Sequence, residues 1–155
     1  MIRNANRALL LVALLAVVNP LYSAARIEKL REFPERYGNR EVSIRAKVER
    51  KIPIPLTGNT VYILDDRGFR LPMLSKEHFE TGDTIRSRAK VIAYTNPYDE
   101  NKKEKSIDQL AETLVDAFSI GTDKAQSLAK AVISVLTTIA GAIEGTYLLV
   151  SLSDS

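Results

Sequence analysis

The sequence predicts a mainly β domain: five short strands forming a Greek-key barrel, with an α-helical hairpin inserted between the fourth and fifth. Three observations carry this. Apolar residues alternate with period two in Glu41–Val48 and again in Ile85–Ala93, which puts one face of a strand inside and the other in water. Turn residues punctuate the stretch between them, as Gly58-Asn59, Asp65-Asp66-Arg67-Gly68 and Gly82-Asp83, at strand-length intervals. Past Ser106 the apolar period becomes that of a helix, and Thr146–Leu152 returns to alternation.

The N-terminus has the three-part layout of a secretory signal. Arg3 and Arg7 are followed by the apolar run Ala8–Val18, then Asn19-Pro20 and the small residues Ser23, Ala24 and Ala25. Those 11 residues fall well short of the roughly 20 a helix needs to span a bilayer. Cleavage after Ala25 is therefore expected, with release into the periplasm or the medium and no stable transmembrane anchor. The mature chain, residues 26–155, would be a single domain. Losing two Arg and no acid leaves 20 Lys+Arg against 19 Asp+Glu, a net charge of +1 where the whole chain has +3. So balanced a charge gives no general attraction to polyanions. The chain has no Cys, which excludes disulfides, thiolate metal sites and thiol redox chemistry.

Arg26–Phe33 carries Ile27, Leu30 and Phe33 at three-residue spacing before Pro34, the pattern of a short helix packed on one side. In the first strand Val42, Ile44, Ala46 and Val48 form the inner face. Pro53, Pro55 and Gly58-Asn59 predict a loop, and Thr60–Leu64 a second strand rich in β-branched and aromatic residues. Asp65 to Gly68 form a hairpin turn into Phe69–Leu74, where Pro72, unable to donate a ladder hydrogen bond, predicts an edge or a bulge. Gly82-Asp83 leads into the fourth strand, and Tyr94–Lys105 reads as a polar linker. Ser106, with Gln109 completing a capping box, opens a helix striped by Ile107, Leu110, Ala111, Leu114, Val115 and Phe118. Gly121 ends it. Thr122 caps a second helix running from Asp123 to about Ile143, uncharged from Ala131 onward, and Gly145 stops it before the last strand.

Val42-Ser43-Ile44-Arg45-Ala46-Lys47-Val48, Tyr62–Gly68 with Asp65 before its Gly turn, and Gly82-Asp83 leading to Ala89-Lys90-Val91 resemble the OB-fold pattern. They are nearer to the anticodon-binding type and its exported bacterial relatives than to the cold-shock type. Phe33-Pro34-Glu35-Arg36-Tyr37-Gly38 is similar to the segment before the barrel in exported members. Ala46 and Ala89 stand where the family pattern has Gly, so the strand coiling that Gly permits must arise otherwise. The resemblance implies a ligand surface flanked by the first-to-second-strand loop, Lys51–Asn59, and by the connection after the fourth strand. Here that connection is the helical hairpin, which must either cover the surface or rebuild it.

The ligand-binding candidates are outward cations on strands expected to pair, Arg45 and Lys47 beside Arg86, Arg88 and Lys90, with Tyr62 and Phe69 as the aromatic positions for stacking. Solvated strand faces are commonly Lys/Arg-rich, and Glu41 and Glu49 dilute this stripe. Phe118-Ser119-Ile120-Gly121 is faintly like a helix-hairpin-helix DNA-binding element, although Ser119 stands where a first Gly would be and Gly121 reads as an ordinary helix C-cap. His78 is the sole histidine. It has no partner set for zinc or haem, and Asp65 and Asp66 suit a turn better than acid–base work. No catalytic motif or phosphate loop is present. The expected function is an exported, non-enzymatic binding module for an envelope protein, peptide or small ligand, without cofactor or metal. The alternatives are an exported single-stranded nucleic-acid binder, with weak affinity, and a membrane-associated protein using the apolar helix 131–143.

Overall fold

The computed structural model describes residues 38–93, 100–143 and 147–152. The signal segment, the lead-in helix and Gly145 lie outside the described residues. Strands β1 (Glu41–Ile54), β2 (Asn59–Asp66), β3 (Phe69–Ser75), β4 (Thr84–Ala93) and β5 (Tyr147–Ser151) close into a barrel in the order β1-β2-β3-β5-β4. Only the β3–β5 contact is parallel. Helices α1 (Glu100–Phe118) and α2 (Thr122–Thr138), followed by a 3₁₀ turn at Ala140–Ala142, form the insertion between β4 and β5.

β1 serves two neighbours. Glu41–Lys47 pairs with β4 and Lys47–Ile54 with β2, the register shifting between Val48 and Arg50. Such a bulge bends the strand and raises its twist, so the coiling comes from the bulge while Ala46 and Ala89 remain as small buried residues of the interior. The turn into β4 locks the bend: Val48 N–H donates to Asp83 O and Gly82 N–H to Val48 O, both 2.8 Å. Gly82 sits at φ +96 there, which a side chain would strain. The stretch Lys51–Ile54, expected as loop, is strand. Pro53 is opposite Thr60, and beyond Lys47 β1 has no β4 partner, so the donor that Pro53 lacks is needed by no ladder. Pro72 behaves similarly. β3 is an interior strand of a closed barrel, not an edge, yet its pairing with β5 begins only at Met73.

There are two cores. The barrel interior is filled by Ile44, Val48, Tyr62, Leu64, Leu71, Met73, Val91 and Leu149 with their neighbours. The second lies outside the barrel. Val61 and Ile63 of β2, Leu74 of β3, Ile92 of β4 and Leu148 and Val150 of β5 are capped by Leu110, Leu114 and Phe118 of α1 and Leu128, Val132 and Leu136 of α2. β2, β3 and β5 are thus buried on both faces, whereas β1 and β4 keep a wet outer face where they pair.

The helices depart from their sequence-based bounds at three points. α1 starts six residues before Ser106, which is buried within it and donates to Lys102 O at 2.9 Å, so there is no capping box at Ser106. Charged, straight-chain residues at 100–105 are good helix formers, and a Ser within a helix satisfies its hydroxyl on the preceding turn. Gln109 instead reaches Asn39 Oδ1 at 3.2 Å. Gly121, expected to end α1, is the N-cap of α2 at φ −68, and Thr122 is the first helical residue. The left-handed position after α1 belongs to Ser119, at φ 52. An L-residue is strained there by roughly 1–2 kcal/mol, so Ser119→Gly is expected to raise the free energy of unfolding by about 1 kcal/mol, read from its urea transition. Lastly, α2 stops at Thr138. Its uncharged end is not apolar all round: Ser134 and Thr138 are exposed, and Thr137 and Thr138 return their hydroxyls to Ile133 O and Ser134 O.

Candidate functional site

The structure separates the sequence-predicted site residues. Arg45, Lys47, Arg86 and Arg88 are exposed and Lys90 half-buried on the outer face where β1 pairs with β4, with Arg45 directly opposite Arg86, Ser43 opposite Arg88 and Glu41 opposite Lys90. Arg88 is engaged by Glu41, Nη2 to Oε2 2.8 Å. Tyr62 points the other way. It is 1 % exposed in the barrel interior, meets Phe79 edge to face at 5.3 Å between ring centres, donates its hydroxyl to Glu77 O at 2.7 Å and accepts from Phe79 N–H at 3.1 Å. No face of that ring is open to a base. Phe69 is half-buried against the same interior. The five cations and the two rings therefore make no common surface, because β2 turns alternate residues inward and the helices occupy its outer side.

The two acids singled out have structural settings. Asp65 Oδ1 accepts the Gly68 N–H at 2.8 Å, closing the two-residue Arg67-Gly68 turn in which both residues have positive φ, 56 and 91. Asp66 is opposite Phe69. His78 is exposed. Among the described residues no group of three or more His, Cys, Asp or Glu is placed to hold a metal. Lys51, paired with Glu80 at 2.9 Å, holds its proton above the ordinary lysine range because that carboxylate accepts its hydrogen bond and adds its charge.

The helical pair covers the outer face of β2 and β3, where the resemblance placed the ligand. What stays open is the gap between that cover and the β1–β2 turn. A groove of about 730 Å³ runs there, walled by Ile54 to Thr57 and Asn59 on one side and by Phe118, Ile120, Asp123, Lys124, Ser127, Leu128 and Ala131 on the other. Lys76 fixes one end: its Nζ donates to Phe118 O at 2.8 Å and lies 4.7 Å from the centre of that ring, closing the C-terminus of α1. The turn is cross-tied, with Thr57 Oγ1 donating to Ile54 O at 2.9 Å, and Asn59 donating through N–H to Thr57 Oγ1 at 3.1 Å and through Nδ2 to Thr57 O at 3.0 Å. These bonds hold Leu56 at φ 66 with its side chain wholly in solvent, the one large apolar residue so exposed among those described. Asn59 Oδ1, buried beneath the turn, has no hydrogen-bond partner among the described residues. Sequence reasoning located the flanks of this site, one as the loop between the first two strands and the other as the helical hairpin, but not Leu56, whose signal was an apolar residue between Pro55 and Gly58 in an otherwise polar turn.

Fold and site together define a closed five-stranded β-barrel, compatible with an OB-fold, whose helical insertion covers the outer face of β2, β3 and β5 and leaves a groove at the rim. Comparison with known proteins adds no relative: no family model, no curated protein and no solved structure matches the chain.

Proposed function

We propose that the chain is an exported, non-enzymatic binding module whose ligand, a protein segment, peptide or small molecule, sits in the groove between the β1–β2 turn and the helical hairpin. The reading takes the barrel as an OB-fold of the anticodon-binding type seen in exported bacterial proteins, on the strength of Val42–Val48, the Asp65–Gly68 turn and Gly82-Asp83. The observation that carries it is Leu56. A left-handed L-residue costs roughly 1–3 kcal/mol and persists where surrounding bonds impose it; here they hold an apolar side chain in water at the mouth of this groove. Export rests on the sequence, and mass spectrometry of the secreted or periplasmic protein should find a chain beginning at Arg26.

Leu56→Asn supplies the test. Asn tolerates the left-handed region, so the variant is expected to be about 0.5–1 kcal/mol more stable in urea than the parent. It should also lose affinity for groove ligands. Amide chemical-shift mapping of the parent against a set of short peptides and drug-like fragments is expected to move Leu56, Thr57, Ser127 and Ala131. Shifts confined to surfaces away from the groove, or hits untouched by Leu56→Asn, would remove the groove as the site.

A further inference from the structure

The open face of the barrel carries a different chemistry. Along the paired halves of β1 and β4 the outward residues are Glu41, Ser43, Arg45 and Lys47 against Lys90, Arg88, Arg86 and Thr84. Arg45, Arg86 and Lys47 are exposed, and among the described residues no carboxylate forms an ion pair with them: Glu41 is engaged by Arg88, Glu49 by Arg70 at 2.7 Å and Glu80 by Lys51, while Asp65, opposite Lys47 across the β1–β2 ladder, accepts the Gly68 N–H. Two arginines directly opposite in a sheet repel, and an external anion would turn that repulsion into attraction. Among the described residues the same face holds no aromatic side chain to stack a base, which a single-strand nucleic-acid groove uses. It is also the outside of the barrel, and Arg45, Lys47 and Arg86 line none of the grooves found among the described residues. Exposed cations without rings or a cleft, on a convex face, complement a broad anionic surface.

We infer that the β1–β4 face docks the protein on a membrane leaflet rich in anionic phospholipid, with Arg45, Lys47 and Arg86 against the headgroup phosphates. Each Lys or Arg near such a surface raises the partition roughly fivefold, so these three together supply on the order of a hundredfold. None of the residues lining the groove belongs to this face.

The test is co-sedimentation of the full chain, in the form cells yield, with vesicles of equal parts phosphatidylglycerol and phosphatidylcholine and with vesicles of phosphatidylcholine alone. Binding is expected only to the anionic vesicles, and should disappear when salt is raised to about 1 M, where the screening length falls to about 3 Å. Arg45→Gln with Arg86→Gln should weaken the partition roughly 25-fold, while Lys130→Gln, exposed on α2 and outside both the face and the groove, should leave it unchanged. Equal binding to both vesicle types, or no loss in the double variant, overturns the inference. So does binding of a labelled thymidine oligonucleotide that the double variant abolishes in the absence of vesicle binding, which would assign the face to nucleic acid instead.

Discussion

Val61→Asp is expected to destabilise the protein by about 3–5 kcal/mol or to prevent it folding. Val61 lies on the outer side of β2, where a bare barrel would face water, and there the substitution would cost no more than about 0.5 kcal/mol. In this chain Val61 is 0 % exposed, opposite Leu74 and across from Ile52, beneath the helices. An Asp would leave a carboxylate without a partner among Leu, Ile and Val side chains, and its desolvation cannot be recovered there. Urea unfolding of Val61→Asp against Arg86→Asp, an equally outward residue on the open face, separates the two surfaces: the first midpoint should fall steeply and the second should hardly move. Equal midpoints would mean that the helices do not cover β2.

Leu136→Ala approaches the same interface from the helix side. Leu136 is 1 % exposed near the end of α2 and belongs to the outer core with Leu128, Val132 and Leu148. Truncating it removes the transfer gain and leaves a cavity, together about 2–5 kcal/mol. Because α1, α2 and the outer barrel face share one core, the loss should appear as a single cooperative shift of the urea midpoint with an unchanged slope. An unchanged midpoint accompanied by lost association with a partner or with vesicles would make the hairpin an exposed interaction surface and not part of the fold. Among the described residues no helix is long and apolar enough to cross a membrane, and Val132, Ile133 and Leu136 of the uncharged stretch of α2 are buried in the outer core.

The strands were legible because alternation is written one residue at a time. Val42, Ile44, Ala46 and Val48 face inward as their spacing requires, and the Arg67-Gly68 turn lies where Asp65 and Gly68 predicted it. The apolar stripe of α1 is buried as expected, with Val115 partly so. The double-sided burial of β2 was not anticipated: Tyr62 was expected to face a ligand, and only the docking of the helices on the outer face fills both sides of the run Val61-Tyr62-Ile63-Leu64. Tyr62 could not be placed by composition, since its parity is set by the bulge in β1 and by the β1–β2 register. The helix boundaries failed where local signals were ambiguous: Ser106 suits a cap and also a buried position bonded to Lys102 O, and only the neighbouring core selects between them.

By itself, then, the sequence determined the strand order of burial, the turns, the two helices and their place between the fourth and fifth strands, because each depends on residues within a few positions of one another. The tertiary structure alone decided where the helices dock, that the β2–β3 face is sealed and β1–β4 left open, that Arg45 meets Arg86 while Glu41 is drawn to Arg88, and that Leu56 stands exposed at a groove. Those outcomes follow from pairings between segments tens of residues apart, fixed by barrel closure and by the apolar area that two helices must hide from water.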